Sequence, residues 1–136
     1  VSGGYALDTN VAIYAFATDE KAEIATVLLE AGPCISVQLL NEFANASLRK
    51  HRAPWREIEE SLGLIMDLCR SLRPIDGNMH EEGCRIAKRY KLGFYDSLML
   101  AAARLDDCDV FFSEDMQHGL VIDNKLTITN PFVEAA

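Results

Sequence analysis

Four carboxylates stand where a small parallel-sheet protein would gather them. They are Asp8 in Leu7-Asp8-Thr9-Asn10, Glu42 in Leu40-Asn41-Glu42-Phe43, Asp96 in Phe94-Tyr95-Asp96-Ser97, and Asp115 in Ser113-Glu114-Asp115. Crowded like charges repel, so such a cluster requires either protonated carboxyls or a cation among them. Oxygen donors without a supporting His or Cys suit Mg²⁺ or Mn²⁺. A hard divalent ion in an acidic pocket points to phosphodiester chemistry.

The elements around these residues are what would bring them together. Tyr5 to Leu7 reads as a short strand, followed by a helix over 11–16. A helix over 21–31 ends at Gly32-Pro33, and a second strand covers 34–37. The next helix spans 38–50, with Leu39, Phe43 and Ala46 as its apolar face. Glu42 lies roughly 60° from Leu39 and 40° from Ala46 at ~100° per residue, so it borders the buried side. Pro54 opens an amphipathic helix over 55–72, with Ile58, Leu62, Ile65, Met66 and Cys69 on one side. Residues 73–76 carry a weak strand signal, which Pro74 assigns to an edge or a strand entry. A helix over 79–90 ends at Gly93. The segment 95–105 is apolar nearly all round and is expected to be a buried helix against the sheet. Residues 108–112 form the fourth strand, Ser113 begins a short helical turn that stops at Gly119, and 120–122 and 126–128 are short extended pieces. Strands alternating with helices at this spacing mean an α/β fold with a parallel sheet. Ligands in such sheets collect at the carboxyl ends of the strands. Asp8 and Asp115 follow strands there, and Glu42 and Asp96 sit early in helices, so all four can reach one crevice.

Taken singly, each residue has a plainer role. Asp8 and Asp96 are good helix caps, and Ser113 can cap the turn that contains Asp115. Glu42 beside Leu39 and Phe43 is partly desolvated and needs a partner, for which Arg49 or another helix would serve. Four independent caps on one rim explain less than one shared site does, so the set carries the inference.

Composition bounds the rest. With 136 residues, 49% hydrophobic and 25% charged, the chain fits one domain with a sizeable core. Val1-Ser2-Gly3-Gly4 lacks an initiator Met and reads as a processing or expression remnant, leaving 5–136 as the domain. No apolar run is long enough for a membrane span and no secretory leader is visible, which predicts a cytoplasmic protein. Cys34, Cys69, Cys84 and Cys108 form no Cys-x-x-Cys pair and are expected to be buried free thiols of a reducing compartment. His51, His80 and His118 are scattered. A net charge of −8 argues against a general nucleic-acid coat but not against a nuclease, whose carboxylates hold metal. Two basic strips, Arg49-Lys50-His51-Arg52 and Lys88, Arg89 and Lys91, are either phosphate contacts or solvated helix ends.

In these residues the chain resembles the PIN-domain ribonucleases, and within them the VapC toxins of bacterial toxin–antitoxin pairs. The resemblance runs from Tyr5 to Phe132. It is carried by Tyr5-Ala6-Leu7-Asp8-Thr9-Asn10, Ser36-Val37-Gln38-Leu39-Leu40-Asn41-Glu42-Phe43, Phe94-Tyr95-Asp96-Ser97-Leu98, Phe112-Ser113-Glu114-Asp115-Met116-Gln117-His118-Gly119 and the closing Asn130-Pro131-Phe132. It implies a three-layer fold with a central parallel sheet of four or five strands between helices. It also implies a Mg²⁺- or Mn²⁺-dependent endoribonuclease that leaves 3′-hydroxyl and 5′-phosphate ends. Asp8, Glu42, Asp96 and Asp115 correspond to the family's acidic residues, with Asp8, Asp96 and Asp115 on the metal. Thr9, Asn10 and Ser113 correspond to the polar residues beside the site. A homodimer, an RNA substrate and a VapB-type antitoxin with a basic segment are the implied partners.

Other phosphotransfer readings fit less well. A haloacid-dehalogenase-like enzyme wants a second Asp where Asn10 stands, a receiver domain wants an acidic pair before Asp8, and no P-loop is present. The reading of a different class is a catalytically silent PIN-like module that holds RNA or protein.

Overall fold

The strand alternation of apolar side chains is realised as a six-stranded sheet covered by helices on both faces. The computed structural model describes residues 4–133. Of the expected N-terminal remnant, 1–3 lie outside the described residues, and the Gly4 carbonyl accepts from the Asp109 N–H at 2.9 Å. The strands are β1 (Tyr5–Leu7), β2 (Cys34–Ser36), β3 (Ser71–Arg73), β4 (Val110–Phe112), β5 (Val121–Ile122) and β6 (Leu126–Thr129). The helices are α1 (Thr9–Tyr14), α2 (Glu20–Glu30), α3 (Val37–Arg49), α4 (Trp55–Leu68), α5 (Gly77–Tyr90) and α6 (Phe94–Leu105).

The sheet order is β3-β2-β1-β4-β6-β5. The first five of these are parallel to their neighbours, and β5 is antiparallel to β6 at the edge. The expectation of four or five parallel strands therefore gains a sixth, antiparallel one. Asp123 and Asn124, at φ of 53° and 57°, turn the chain in a three-residue loop closed by the Lys125 N–H donating to the Ile122 carbonyl at 3.0 Å.

Neighbouring strand positions face opposite layers. On one face the Tyr5 hydroxyl donates to the Leu28 carbonyl of α2 at 2.6 Å. On the other, the Ser36 hydroxyl lies 3.7 Å from the Met99 sulfur of α6. The core between these layers includes Leu7, Ile35, Leu39, Leu100, Phe111 and Ile128. The prediction that α6 is buried holds, since Ser97 to Ala103 are all buried. It packs on α5, where Gly83 permits the approach: a Cβ there would stand 3.3 Å from the Leu98 Cα.

Three local expectations are corrected. The helix over 55–72 stops at Leu68, and the strand expected at 73–76 lies at 71–73. Parallel pairing of Cys34, Ile35 and Ser36 with Ser71, Leu72 and Arg73 outweighs continued helical periodicity, and Met66 is exposed. Asp76 instead caps α5, accepting from the Met79 N–H at 2.9 Å. The helix expected over 79–90 does end at Tyr90, but its stop is Lys91, a left-handed cap, and Gly93 instead opens α6. The segment from Ser113 is a bend with no helix. The Ser113 hydroxyl accepts from the Met116 N–H at 3.1 Å and so caps this bend.

Candidate active site

The crevice lies where β1 and β4 end side by side. Leu7 is in register with Phe112, and the Asp8 N–H donates to the Phe112 carbonyl at 2.8 Å. The next residues of the two strands are therefore neighbours, and the Ser113 hydroxyl donates to Asp8 Oδ2 at 2.8 Å. The Thr9 N–H donates to Asp8 Oδ1 at 2.8 Å, so Asp8 caps α1 as well as facing the crevice. The capping and site readings of Asp8 are thus compatible.

Asp8 is only 6% exposed. Burial raises its pKa from 3.8 to about 6; hydrogen bonds from Ser113 and Thr9 work against this, and the charges of Asp96 and Glu42 add to the rise. Asp96 lies in the first turn of α6, whose cap residue Gly93 makes no side-chain cap bond. Its pKa is raised first by lost solvation and then by Asp115. Asp8 thus feels Asp96 and Glu42, and Asp96 feels Asp115, across separate chain segments.

Glu42 makes no salt bridge among the described residues. Thr9 Oγ1 donates to its Oε1 at 3.2 Å and Gln38 Nε2 to its Oε2 at 2.9 Å. Ser36 starts α3 by accepting the Leu39 N–H at 3.3 Å, which sets the phase that turns Glu42 toward Thr9. The Asn10 amide donates to Asp115 Oδ2. Each predicted polar neighbour, Thr9, Asn10 and Ser113, therefore holds a different predicted carboxylate.

The bend bearing Asp115 is fixed from its other side. Glu114 accepts from the Tyr14 hydroxyl at 2.6 Å and from the Lys21 ammonium. The Lys21 ammonium also lies over the rings of Tyr14 and Phe132, at 4.9 Å and 5.6 Å from their centres. These contacts hold the Glu114 carboxyl below its usual range, with Lys21 the leading cause. Sequence reasoning missed Gln38, although its i,i+4 spacing from Glu42 was a usable signal. It also missed Tyr14, Lys21 and Glu114, whose meeting has no local signature.

A groove of about 490 Å³ adjoins Glu42, lined also by Gln38, Asn41, Asn45 and Tyr95. A second cavity of about 520 Å³, between α1, α3 and the start of α4, includes none of the four carboxylates. The basic strip at Arg49–Arg52 is exposed at the far end of α3. Arg89 lies over the Tyr90 ring at 5.3 Å. All four cysteines are free, but only Cys34 and Cys108 are buried as expected, Cys69 being half-buried and Cys84 exposed; burial with Cys34 nearby pushes the Cys108 thiol up to about 12. His118 accepts the Asn130 N–H at 2.9 Å, which ties the closing segment to the Asp115 bend.

Among the described residues no three acidic, His or Cys groups stand close enough to hold a metal ion as arranged. Hydrogen bonds from Ser113 and Thr9 position Asp8, those from Thr9 and Gln38 position Glu42, and that from Asn10 positions Asp115. The donor chemistry nevertheless fits a hard divalent cation: every candidate ligand is an oxygen, and burial together with neighbouring carboxylates raises the pKa of Asp8 and Asp96, a rise that a cation would oppose.

Comparison with known proteins agrees with this architecture. The family model described as "PIN domain" matches residues 5–119. A chain of a toxin–antitoxin complex from Klebsiella pneumoniae superposes with a TM-score of 0.69 at 20% identity, over 95% of this chain and 98% of that one. A chain of VapBC2 from Rickettsia felis, bound to a DNA fragment from its promoter, gives 0.66 at 15% identity, over 93% and 98%. No curated protein matches.

Proposed function

Because the chain belongs to the PIN-domain family, we propose that it is a Mg²⁺- or Mn²⁺-dependent endoribonuclease of the VapC toxin kind. What supports this reading is the buried Asp8 at the paired ends of β1 and β4, raised to about 6 first by burial and in part by the charges of Asp96 and Glu42, with Asp96 in turn feeling Asp115.

In this reading Asp8, Asp96 and Asp115 would hold the metal. A bound divalent ion would supply a water of lowered pKa and neutralise charge on the phosphate oxygens. Asp8 must be deprotonated to serve, and the Ser113 hydroxyl and Thr9 N–H favour its charged form. Glu42, oriented by Thr9 and Gln38, receives the proton of the attacking water at a carboxylate oxygen or fixes that water by a hydrogen bond. Asn10 steadies Asp115, and the Tyr14–Lys21–Glu114 contact holds the bend on which Asp115 sits. The products are a 3′-hydroxyl and a 5′-phosphate.

The proposed partners are RNA, a second copy of the chain in a homodimer, and a VapB-type antitoxin. A net charge of −8 and an acidic rim suit a basic antitoxin segment. The alternative, a silent module that holds RNA or protein, is supported by one observation: among the described residues no three of these groups stand close enough to hold a metal ion.

The test is purified, antitoxin-free protein incubated with total RNA in Mn²⁺ and in EDTA, with the cut ends mapped. Asp96→Asn keeps the size of the side chain and removes one charge. Metal-dependent cutting lost in that variant is the expected result. Equal cutting by the variant would remove Asp96 from the site, and an inactive parent would favour the silent module.

A further inference from the structure

The groove beside Glu42 differs in chemistry from the acidic rim that it adjoins. Its walls are Gln38, Asn41, Glu42 and Asn45 from α3 and Tyr95 from the first turn of α6. On α3 these positions recur at spacings of three and four, which stacks them in one row along the helix. Tyr95 is 63% exposed. Its ring meets Phe94 edge-on at 5.5 Å between centres, and Phe94 meets His80 in the same way at 5.5 Å. The Tyr95 ring is thus backed by a short aromatic ledge. Asn41 and Asn45 are exposed, and their amides, like the Tyr95 hydroxyl, hydrogen-bond to nothing among the described residues.

No lysine or arginine lines the groove, and the Glu42 carboxylate does. Phosphate is therefore a poor occupant. A neutral, planar group with donors and acceptors on its edge is a good one, because amide side chains pair with base edges and aromatic rings stack on base faces. We propose that this groove is a nucleobase subsite, in which an unpaired base of single-stranded RNA stacks on Tyr95 and presents its edge to Asn41 and Asn45.

The placement suits the chemistry next door. Tyr95 immediately precedes Asp96, and Glu42 borders both the groove and the acidic rim. A base on Tyr95 keeps its adjoining phosphate within reach of the carboxylates. The subsite rests on the ribonuclease reading only in taking RNA as its ligand; the side chains that would contact the base, Tyr95, Asn41 and Asn45, are not those that cut, and Glu42 is the wall shared with the acidic rim.

The experiment compares Tyr95→Leu, Tyr95→Phe and Asn41→Ala with the parent. Initial rates are measured on a short single-stranded oligoribonucleotide, and anisotropy of the labelled oligoribonucleotide is measured on the Asp115→Asn background. Losing one stacked base is expected to raise KM and Kd about tenfold in Tyr95→Leu, while Tyr95→Phe stays within about twofold of the parent. Asn41→Ala is expected to change the preference among bases more than the overall rate. Cutting by the parent with unchanged KM and Kd in Tyr95→Leu overturns the subsite and leaves the ribonuclease reading intact. An inactive parent overturns the ribonuclease reading, and the anisotropy series still decides the subsite: weaker binding in Tyr95→Leu alone upholds it, and equal binding or none rejects it. A dimer that becomes monomeric in Tyr95→Leu, by sedimentation velocity, would assign this face to a second copy of the chain and reject the subsite.

Discussion

Replacing Asp8 by Asn is predicted to stabilise the metal-free protein while disabling the site. The carboxyl is buried, and its pKa rises from 3.8 to about 6. A rise of this size, roughly two units at about 1.36 kcal/mol each, corresponds to about 3 kcal/mol of destabilisation once the group is ionised. The sign follows from proton binding. Between 3.8 and about 6 the folded state binds more protons than the unfolded chain, so stability falls as pH rises through that window. Below it the Asp8 penalty is absent, and above it the penalty is complete. Asn does not titrate, retains the cap to Thr9 and accepts a hydrogen bond at one oxygen, so its advantage over the parent grows from near zero at acid pH to about 1–3 kcal/mol at neutral pH. The measurement is urea unfolding followed by circular dichroism, for both proteins in EDTA, across this pH range. Other carboxylates titrate in both and cancel in the difference. Addition of Mn²⁺ is expected to reverse the order, because an ion that binds only the native parent stabilises it by mass action. An Asn variant no more stable than the parent at neutral pH, with a difference that does not change with pH, would refute the assignment of an uncompensated buried charge to Asp8.

Further predictions concern the supports of the site. Glu114→Gln and Lys21→Met are expected to weaken Mn²⁺ binding, read by titration calorimetry, with little change in stability, because the pair is partly exposed. An unaltered Mn²⁺ affinity in both would mean that the Asp115 bend does not depend on this contact. Gly83→Ala should cost about 1–3 kcal/mol by forcing α5 from α6 at Leu98, and should lower cutting through displacement of Asp96, checked by thermal melting and by RNA cleavage. Asp123 accepts from Arg85 at 2.6 Å and from Arg104 at 3.1 Å, and Arg85 leads in holding its pKa down to about 2. This contribution is fully present above about 3.8 and is lost as pH falls toward 2. Asp123→Asn keeps the left-handed turn and should therefore lose about 1–2 kcal/mol at neutral pH but progressively less on acidification, read from paired urea curves.

Much of this architecture is readable along the chain, because the interactions that produce it are local. Apolar runs at Tyr5–Leu7, Cys34–Ser36 and Val110–Phe112, separated by helical periodicity, require strand–helix alternation. The uniformly apolar stretch from Ser97 to Ala103 requires a buried helix. The acidic positions, and their polar neighbours Thr9, Asn10 and Ser113, are legible as residue types in a definite order. What does not follow from the order is the pairing. The shift of β3 to Ser71–Arg73 comes from its ladder with β2, and the stop of α4 at Leu68 comes with it. Membership of β5 in the sheet depends on a hairpin closing against β6.

The chain alone determined which side chains can bear negative charge near a sheet rim, since that is a matter of composition and spacing. Tertiary structure decided which hydrogen bond each receives: Ser113 to Asp8 because Leu7 is in register with Phe112, Asn10 to Asp115, and Gln38 and Thr9 to Glu42. It also decided that Tyr14 and Lys21 meet Glu114, about a hundred residues further on. Such contacts depend on the register of strands and the phase of helices brought together from distant segments, and short-range propensities do not encode either.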